Sequence, residues 1–180
     1  MLWGFFFRTC GTRDDRKSFN RIDIEMARQR RTVGSIIEID LGEGHFSYGR
    51  ILDFASFAFY DIHVTKQEKD ISKITNKPIL FIIAVYNDVV SSGRWVKIGS
   101  EPLPQSLQIL PTKFIQDALH LDRFELYYPN SGEIRPASKE ACEGLERCAV
   151  WDANHVEDRL RDHFAGRPCK WMREDLELFA

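Results

Sequence analysis

The feature that most limits how this chain can fold is the period-two stretch that begins at Val33. VGSIIEID alternates apolar and polar residues, LGEGH supplies Gly42 and Gly44, and HFSYGRILDF runs back. Successive side chains of a strand point to opposite faces, so the pattern predicts a half-buried antiparallel hairpin closed by a tight turn. SFAFYDIHV (56–64) reads as a third strand, and TKQEKDISKITNK (65–77) as a loop or a frayed short helix. ILFIIAVY (79–86) is apolar at nearly every position, which fits a central strand covered on both faces.

RWVKIGS (94–100) extends the strand-rich part. Three prolines in EPLPQSLQILP (101–111) exclude a sheet interior and leave a crossing loop with at most one helical turn. FELYY, PNSG and EIR make a second hairpin between 124 and 135. Helices come last. Ser138 can cap a helix through about Arg147, with Ala141, Leu145 and Cys148 inward. Gly144 weakens that helix by about 1 kcal/mol relative to alanine. Asp152 can cap the next, whose apolar stripe is Ala153, Val156, Leu160, His163 and Phe164, and Gly166 with Pro168 ends it. Strands first and helices last predict an α+β fold, mainly antiparallel β (a curled sheet or small barrel), with helices in the C-terminal third.

Charge is unevenly divided. Residues 1–32 hold eight Lys/Arg against four Asp/Glu. The whole chain has 25 basic and 27 acidic side chains, so residues 33–180 carry 17 and 23, a net of −6. An acidic body repels phosphate backbones and attracts basic partners, although charge kept for solubility accounts for the number equally well. The expected organisation is a poorly ordered basic extension over 1–32 and a single domain over 33–180. The opening MLWGFFFRTCGTR has an apolar run too short for a secretory signal or a membrane span. Membrane attachment through Trp3 and Phe5–Phe7 is the weaker alternative. Four cysteines, unevenly spaced, read as free thiols in a reducing cytoplasm.

The richest cluster of polar side chains is VWDANHVEDRLRDHFAGRP (150–168). His155 and His163 are eight residues apart, about 12 Å along a helix, too far to share a zinc ion. Cys142 and Cys148 point to different faces of one helix and do not complete a site. Glu157 and Arg161 stand at i, i+4 and Asp158 faces Arg161 at i, i+3, as on a solvated helix face or a face offered to a partner. Nucleophile and dinucleotide motifs do not match. GHFSYG is one residue too long for a nucleophile elbow, and GEGHFS lacks the third glycine of a dinucleotide loop. Asp61 and His63 share a strand face and could form a dyad, though an exposed ion pair is the commoner outcome. Tyr48, Phe57, Phe59 and Tyr60 could stack bases, but without interleaved basic residues they read as packing.

The blocks YGRIL (48–52), FAFYDI (57–62), SGRWVKIGSEPLP (92–104), FIQDALHLDRFELYY (114–128) and GEIRPASKEACEGLERCAVWDANHVEDRLRDHFAGRPCKW (132–171) together resemble the immunity protein 26 family of bacterial polymorphic toxin systems. The likeness covers about residues 33–172 and is most specific in the last block. It implies a cytoplasmic antidote, mostly β with helical elements, that binds a cognate toxin domain and blocks it. It carries over no catalytic residue and implies no enzyme, cofactor, metal, nucleic acid or membrane. Where many members have an acid after the first glycine of the opening strand, this chain has Ser35. Candidate toxin-binding residues, chosen for expected exposure, are Glu43, Asp61, Trp95, Trp151, Asp152, Glu157, Asp158 and Arg161. A nuclease is the expected target because acidic inhibitors imitate nucleic acid. The main alternative is a small β-barrel nucleic-acid-binding module; a hydrolase built on Asp61 and His63 is a third reading.

Overall fold

A computed structural model describes residues 29–180. The first hairpin forms where the alternation places it: β1 (Ser35–Gly42) pairs antiparallel with β2 (His45–Ile51). Glu43 and Gly44 make the two-residue turn, with φ of 54° and 76°. Positive φ at both central positions is the backbone twist that a two-residue hairpin requires. β3 (Ser56–Tyr60) and β4 (Ile79–Val85) add on one side, and β5 (Val96–Ser100) pairs with β1 on the other.

With β10 (Val150–Trp151) running parallel to β4, the first sheet has the order β10-β4-β3-β2-β1-β5. A second, four-stranded sheet is ordered β8-β7-β6-β9. Its strands are β6 (Lys113–Gln116), which sequence patterning missed, the expected hairpin β7 (Phe124–Tyr128) and β8 (Glu133–Ala137), and β9 (Glu146–Arg147). Two mostly antiparallel sheets with C-terminal helices make the fold α+β, and they do not close into a barrel.

Both faces of the first sheet are covered, which corrects the expected half-exposed hairpin. Ile37, Ile39, Phe57, Phe59 and Ile83 pack with Val156 and Leu160 of α5 (Ala153–Phe164). On the opposite face Ile36, Tyr48, Tyr60 and Ile62 pack with Ile74 of α1 (Ile71–Thr75). Glu38, polar in the alternation, is therefore 8% exposed. Its carboxylate accepts from Tyr48 Oη at 3.3 Å and from Gln67 Nε2 at 2.7 Å, which offsets its burial. Two other short helices, α2 (Asp88–Ser91) and α3 (Gln105–Gln108), lie in the connections; α3 is the single turn allowed by the prolines.

The helix expected from Ser138 to Arg147 is cut to α4 (Lys139–Cys142). Ser138 caps it, accepting from Ala141 N at 3.3 Å. Gly144 then takes φ 76°, and the chain turns into β9 and β10. Glycine here ends the helix rather than weakening its middle. Cys148 is accordingly exposed, not inward. A 3-10 turn (Lys170–Met172) and α6 (Arg173–Leu178) close the chain, with Leu178 and Phe179 against Phe114 and Phe124.

The extension expected over 1–32 falls mostly on residues 1–28, outside the described residues. Its last residues are held on the first sheet. Gln29 Oε1 accepts from Lys97 N at 2.7 Å, and the Arg31 guanidinium donates to the Leu52 carbonyl and lies 5.6 Å from the Phe57 ring centroid.

Candidate functional site

α5 organises the polar residues that the sequence singled out. Its N-terminal end carries Trp151 and Asp152, the latter at the N-cap position without a side-chain capping bond. Its C-terminal end lies beside the tip of the β1–β2 hairpin and the segment 61–64. Between tip and helix lies an open cleft of about 600 Å³, lined by Glu43, His45, His63, Arg161 and Phe164 among others.

Four side-chain contacts join the elements around this cleft. Arg161 Nε donates to the Leu41 carbonyl at 2.8 Å, tying helix to hairpin. His45 stacks on His63 with ring centroids 4.7 Å apart, and Phe164 stacks on His63 at 4.7 Å. His163 Nε2 stands 3.5 Å from Asp61 Oδ1. Burial, with His45 next to it, lowers the His63 pKa below its ordinary 6.5 and favours the neutral ring. His45 Nδ1 is shut off from solvent and has no hydrogen-bond partner among the described residues.

Asp61 thus pairs with His163, and the expected Asp61–His63 dyad does not form in this structure. Its geometric reason is that β3 ends at Tyr60, so 61 and 63 no longer share a strand face. The aromatics Tyr48, Phe57, Phe59 and Tyr60 pack in the core, as the packing reading expected, and are 0%, 0%, 0% and 2% exposed, so they offer no base-stacking platform. Among the described residues, no three His, Cys, Asp or Glu side chains are arranged to hold a metal ion.

Seven of the eight candidate residues fall into three groups, and Asp158 stands apart. Glu43 and Arg161 line the cleft, and Asp61 lies two residues before its lining residue His63, 3.5 Å from His163 of α5. Trp151 and Asp152 sit at the far end of α5, with Trp151 half-buried and Asp152 exposed. Trp95 and Glu157 are 0% and 6% exposed, which corrects the expectation that they lie on the surface.

Glu157 lies under α5, where Arg94 Nε and Nη2 grip its carboxylate at 2.8 Å each. Helical geometry accounts for its burial. Glu157 is four residues after Ala153 and three before Leu160, so it falls inside the apolar stripe. Asp158 is partly exposed but already engaged. It accepts from Arg161 Nη1 at 2.8 Å and Trp171 Nε1 at 3.0 Å, and pairs with Lys170 Nζ at 2.9 Å. Its bonds to Lys170 and Trp171 hold its carboxyl below the usual range. Asp158 therefore ties the C-terminal 3-10 turn to α5.

Sequence reasoning missed Arg94, which precedes Trp95 in SGRWVKIG, and found no partner for His45, which stacks on His63 of a separate segment. Arg94 carried a weak signal: a basic residue beside a tryptophan that has to be buried, with an acid in the stripe of α5 needing a counter-ion.

No helix among the described residues is long and apolar enough to cross a membrane. Neither a curated protein nor a solved structure matches the chain. The model of the family described as Immunity protein 26 matches residues 32–125, just over half of the sequence. That span contains β1 to β6, the hairpin tip, His45, His63, Asp61 and Trp95. It stops short of α5, so the block 132–171, the most specific part of the resemblance noted above, lies outside the matched residues. The chain belongs to the immunity protein 26 family, a family of immunity proteins of toxin systems.

Proposed function

We propose that the protein neutralises a cognate toxin domain by stoichiometric occlusion, with the hairpin-tip cleft as the centre of the contact surface. The supporting observation is the cleft itself. Glu43, an exposed candidate, lines it together with Arg161, and Asp61, also exposed, lies two residues before the lining residue His63. Glu43 also keeps φ 54° in a turn position that glycine or asparagine would hold at lower cost. A residue that is locally unfavourable and exposed at a loop tip is better accounted for by contact with a partner than by the fold.

Binding without chemistry suffices for such a role. Tight protein complexes form with about 800 Å² buried on each partner, and an acidic surface speeds capture of a basic one. The net charge of −6 over residues 33–180 favours a basic target and supports a nuclease as the toxin. A cytoplasmic location follows from the same reading, because the antidote must meet a toxin where the toxin acts. The test is co-expression with the toxin encoded by the neighbouring reading frame. Rescue of growth together with a 1:1 complex is the expected result. Healthy cells in the absence of this protein would contradict it, and a toxin of another activity would remove the nuclease.

A further inference from the structure

Another pocket, which shares no lining residue with the cleft, has a composition that the immunity reading does not use. It has a volume of about 300 Å³ and lies where the two sheets meet, beside the β2–β3 turn. Phe54, Ala84, Tyr127, Pro129, Ala149 and Val150 give it an apolar lining, and among the described residues Lys113 contributes its one cationic side chain.

Lys113 is 4% exposed. Its ammonium donates to the Ile82 carbonyl at 3.1 Å, beyond the end of the two-residue strand β10. Among the described residues it has no ion-pair partner. The nearest acid that influences it is Glu146, whose two oxygens are taken by Arg159 at 2.9 and 2.5 Å. A buried ammonium with one neutral acceptor and no counter-ion is an expensive arrangement. Burial accordingly pushes the Lys113 pKa down from its ordinary 10.5.

The rim shows a second unfavourable feature. Phe54 and Ala55 both lie in the left-handed region, at φ 50° and 57°, and Phe54 is 65% exposed. Non-glycine residues there cost about 1–2 kcal/mol each, and such strain concentrates at ligand-binding positions. Val150, 50% exposed, also lines the pocket.

We propose that this pocket receives a monocarboxylate carried on a short apolar chain, with Lys113 as its counter-ion. The carboxylate supplies the missing negative charge, and the chain fills the apolar space beneath Phe54. Either a free carboxylic acid or the C-terminal residue of a polypeptide presents that chemistry. Because the pocket is separate from the cleft, this inference stands or falls independently of the toxin-binding surface.

The test is an NMR titration of the full chain with hexanoate, hexanol and hexylamine, following the methyl groups of Ala84, Ala149 and Val150. Hexanoate is expected to shift them saturably, at least tenfold more tightly than hexanol, with no saturable response to hexylamine. Lys113→Met should erase the preference for acid over alcohol. Ala149→Trp, which fills the pocket and leaves Lys113 in place, should abolish hexanoate binding even if the Met variant fails to fold. A dipeptide, N-acetyl-alanyl-leucine, and its C-terminal amide distinguish the sources. Tighter binding of the free dipeptide than of hexanoate, with none of the amide, assigns the site to a polypeptide terminus; the reverse order assigns it to a free acid. Equal binding of hexanoate and hexanol, no shift with any probe, or shifts unchanged in Ala149→Trp would overturn the proposal.

Discussion

Trp95 Nε1 donates to Glu157 Oε1 at 3.1 Å, joining the start of β5 to the underside of α5 inside the main core. Trp95 meets Phe57 and Phe59 edge-on, with ring centroids 5.6 and 5.7 Å away. The tryptophan thus fills the space between sheet and helix, and the carboxylate satisfies its one donor. The pair determines where α5 lies on the sheet, and through α5 it positions the wall of the cleft.

Replacing one member of this pair should therefore act on stability. Trp95→Ala is expected to cost about 3–5 kcal/mol, as for other large-to-small core changes. Glu157→Ala leaves the Trp95 N–H buried without an acceptor and Arg94 without its partner, at a cost of about 1–3 kcal/mol. Urea unfolding monitored by tryptophan fluorescence measures both. A Glu157→Ala variant as stable as the wild type would remove the clamp from this account.

The turn at Glu43 makes the opposite prediction. Glu43→Asn puts a residue tolerant of positive φ at that position and should stabilise the protein by about 0.5–1 kcal/mol. Toxin protection should nevertheless decline. A gain in stability together with a loss of protection would separate the binding contribution of Glu43 from its structural one; unchanged protection would assign the glutamate no binding role.

Lys113 predicts a pH dependence. Its pKa in the folded chain lies below the 10.5 of the unfolded chain, so between those values the unfolded state binds more protons. Stability relative to Lys113→Met should therefore rise as pH increases toward 10.5 and be lowest below the folded-state pKa. Unfolding curves of the two proteins at pH 7 and pH 10 check the sign. A difference independent of pH would show that the buried ammonium carries no penalty.

His63 predicts a dependence at the other end of the scale. Its folded pKa is below 6.5, so its contribution is present above 6.5 and is lost as pH falls through that range. The imidazole carbon-bound protons, followed by NMR, should titrate with a midpoint below 6.5. His45→Gln should move that midpoint upward by removing the neighbouring ring's charge, although burial, the larger cause, remains. A midpoint at or above 6.5 in the wild type would contradict the stacked arrangement.

Most strand positions and both hairpins were legible because the alternation and the turn residues act locally. Gly42 and Gly44 mark the hairpin, and Pro102, Pro104 and Pro111 exclude a strand between β5 and β6. Positions that depend on partners far along the chain were not legible. Glu38 looks solvent-facing until α1 and Gln67 cover its side of the sheet. Glu157 reads as exposed because a carboxylate is rarely buried without a partner, and Trp95 reads equally as a binding anchor or a packing anchor until α5 is seen to cover it. The spacing of Glu157 from Ala153 and Leu160 already placed it within the stripe. His45, His63 and Phe164 come from three separate elements, and no spacing rule brings them together. Gly144 shows how one residue supports two readings: a weak point in a long helix, or the left-handed end of a short one.

The central claim is that this molecule acts through the surface around its hairpin tip. Isothermal titration of the cognate toxin domain with the wild type and with the double variant Glu43→Lys, Asp61→Lys tests it most directly. Both substitutions fall at exposed positions, so folding should be retained, as judged by a free energy of unfolding unchanged to within about 1 kcal/mol. The account predicts 1:1 binding by the wild type and at least a hundredfold weaker binding by the double variant. Equal affinity of the two folded proteins would contradict it and place the contact surface elsewhere.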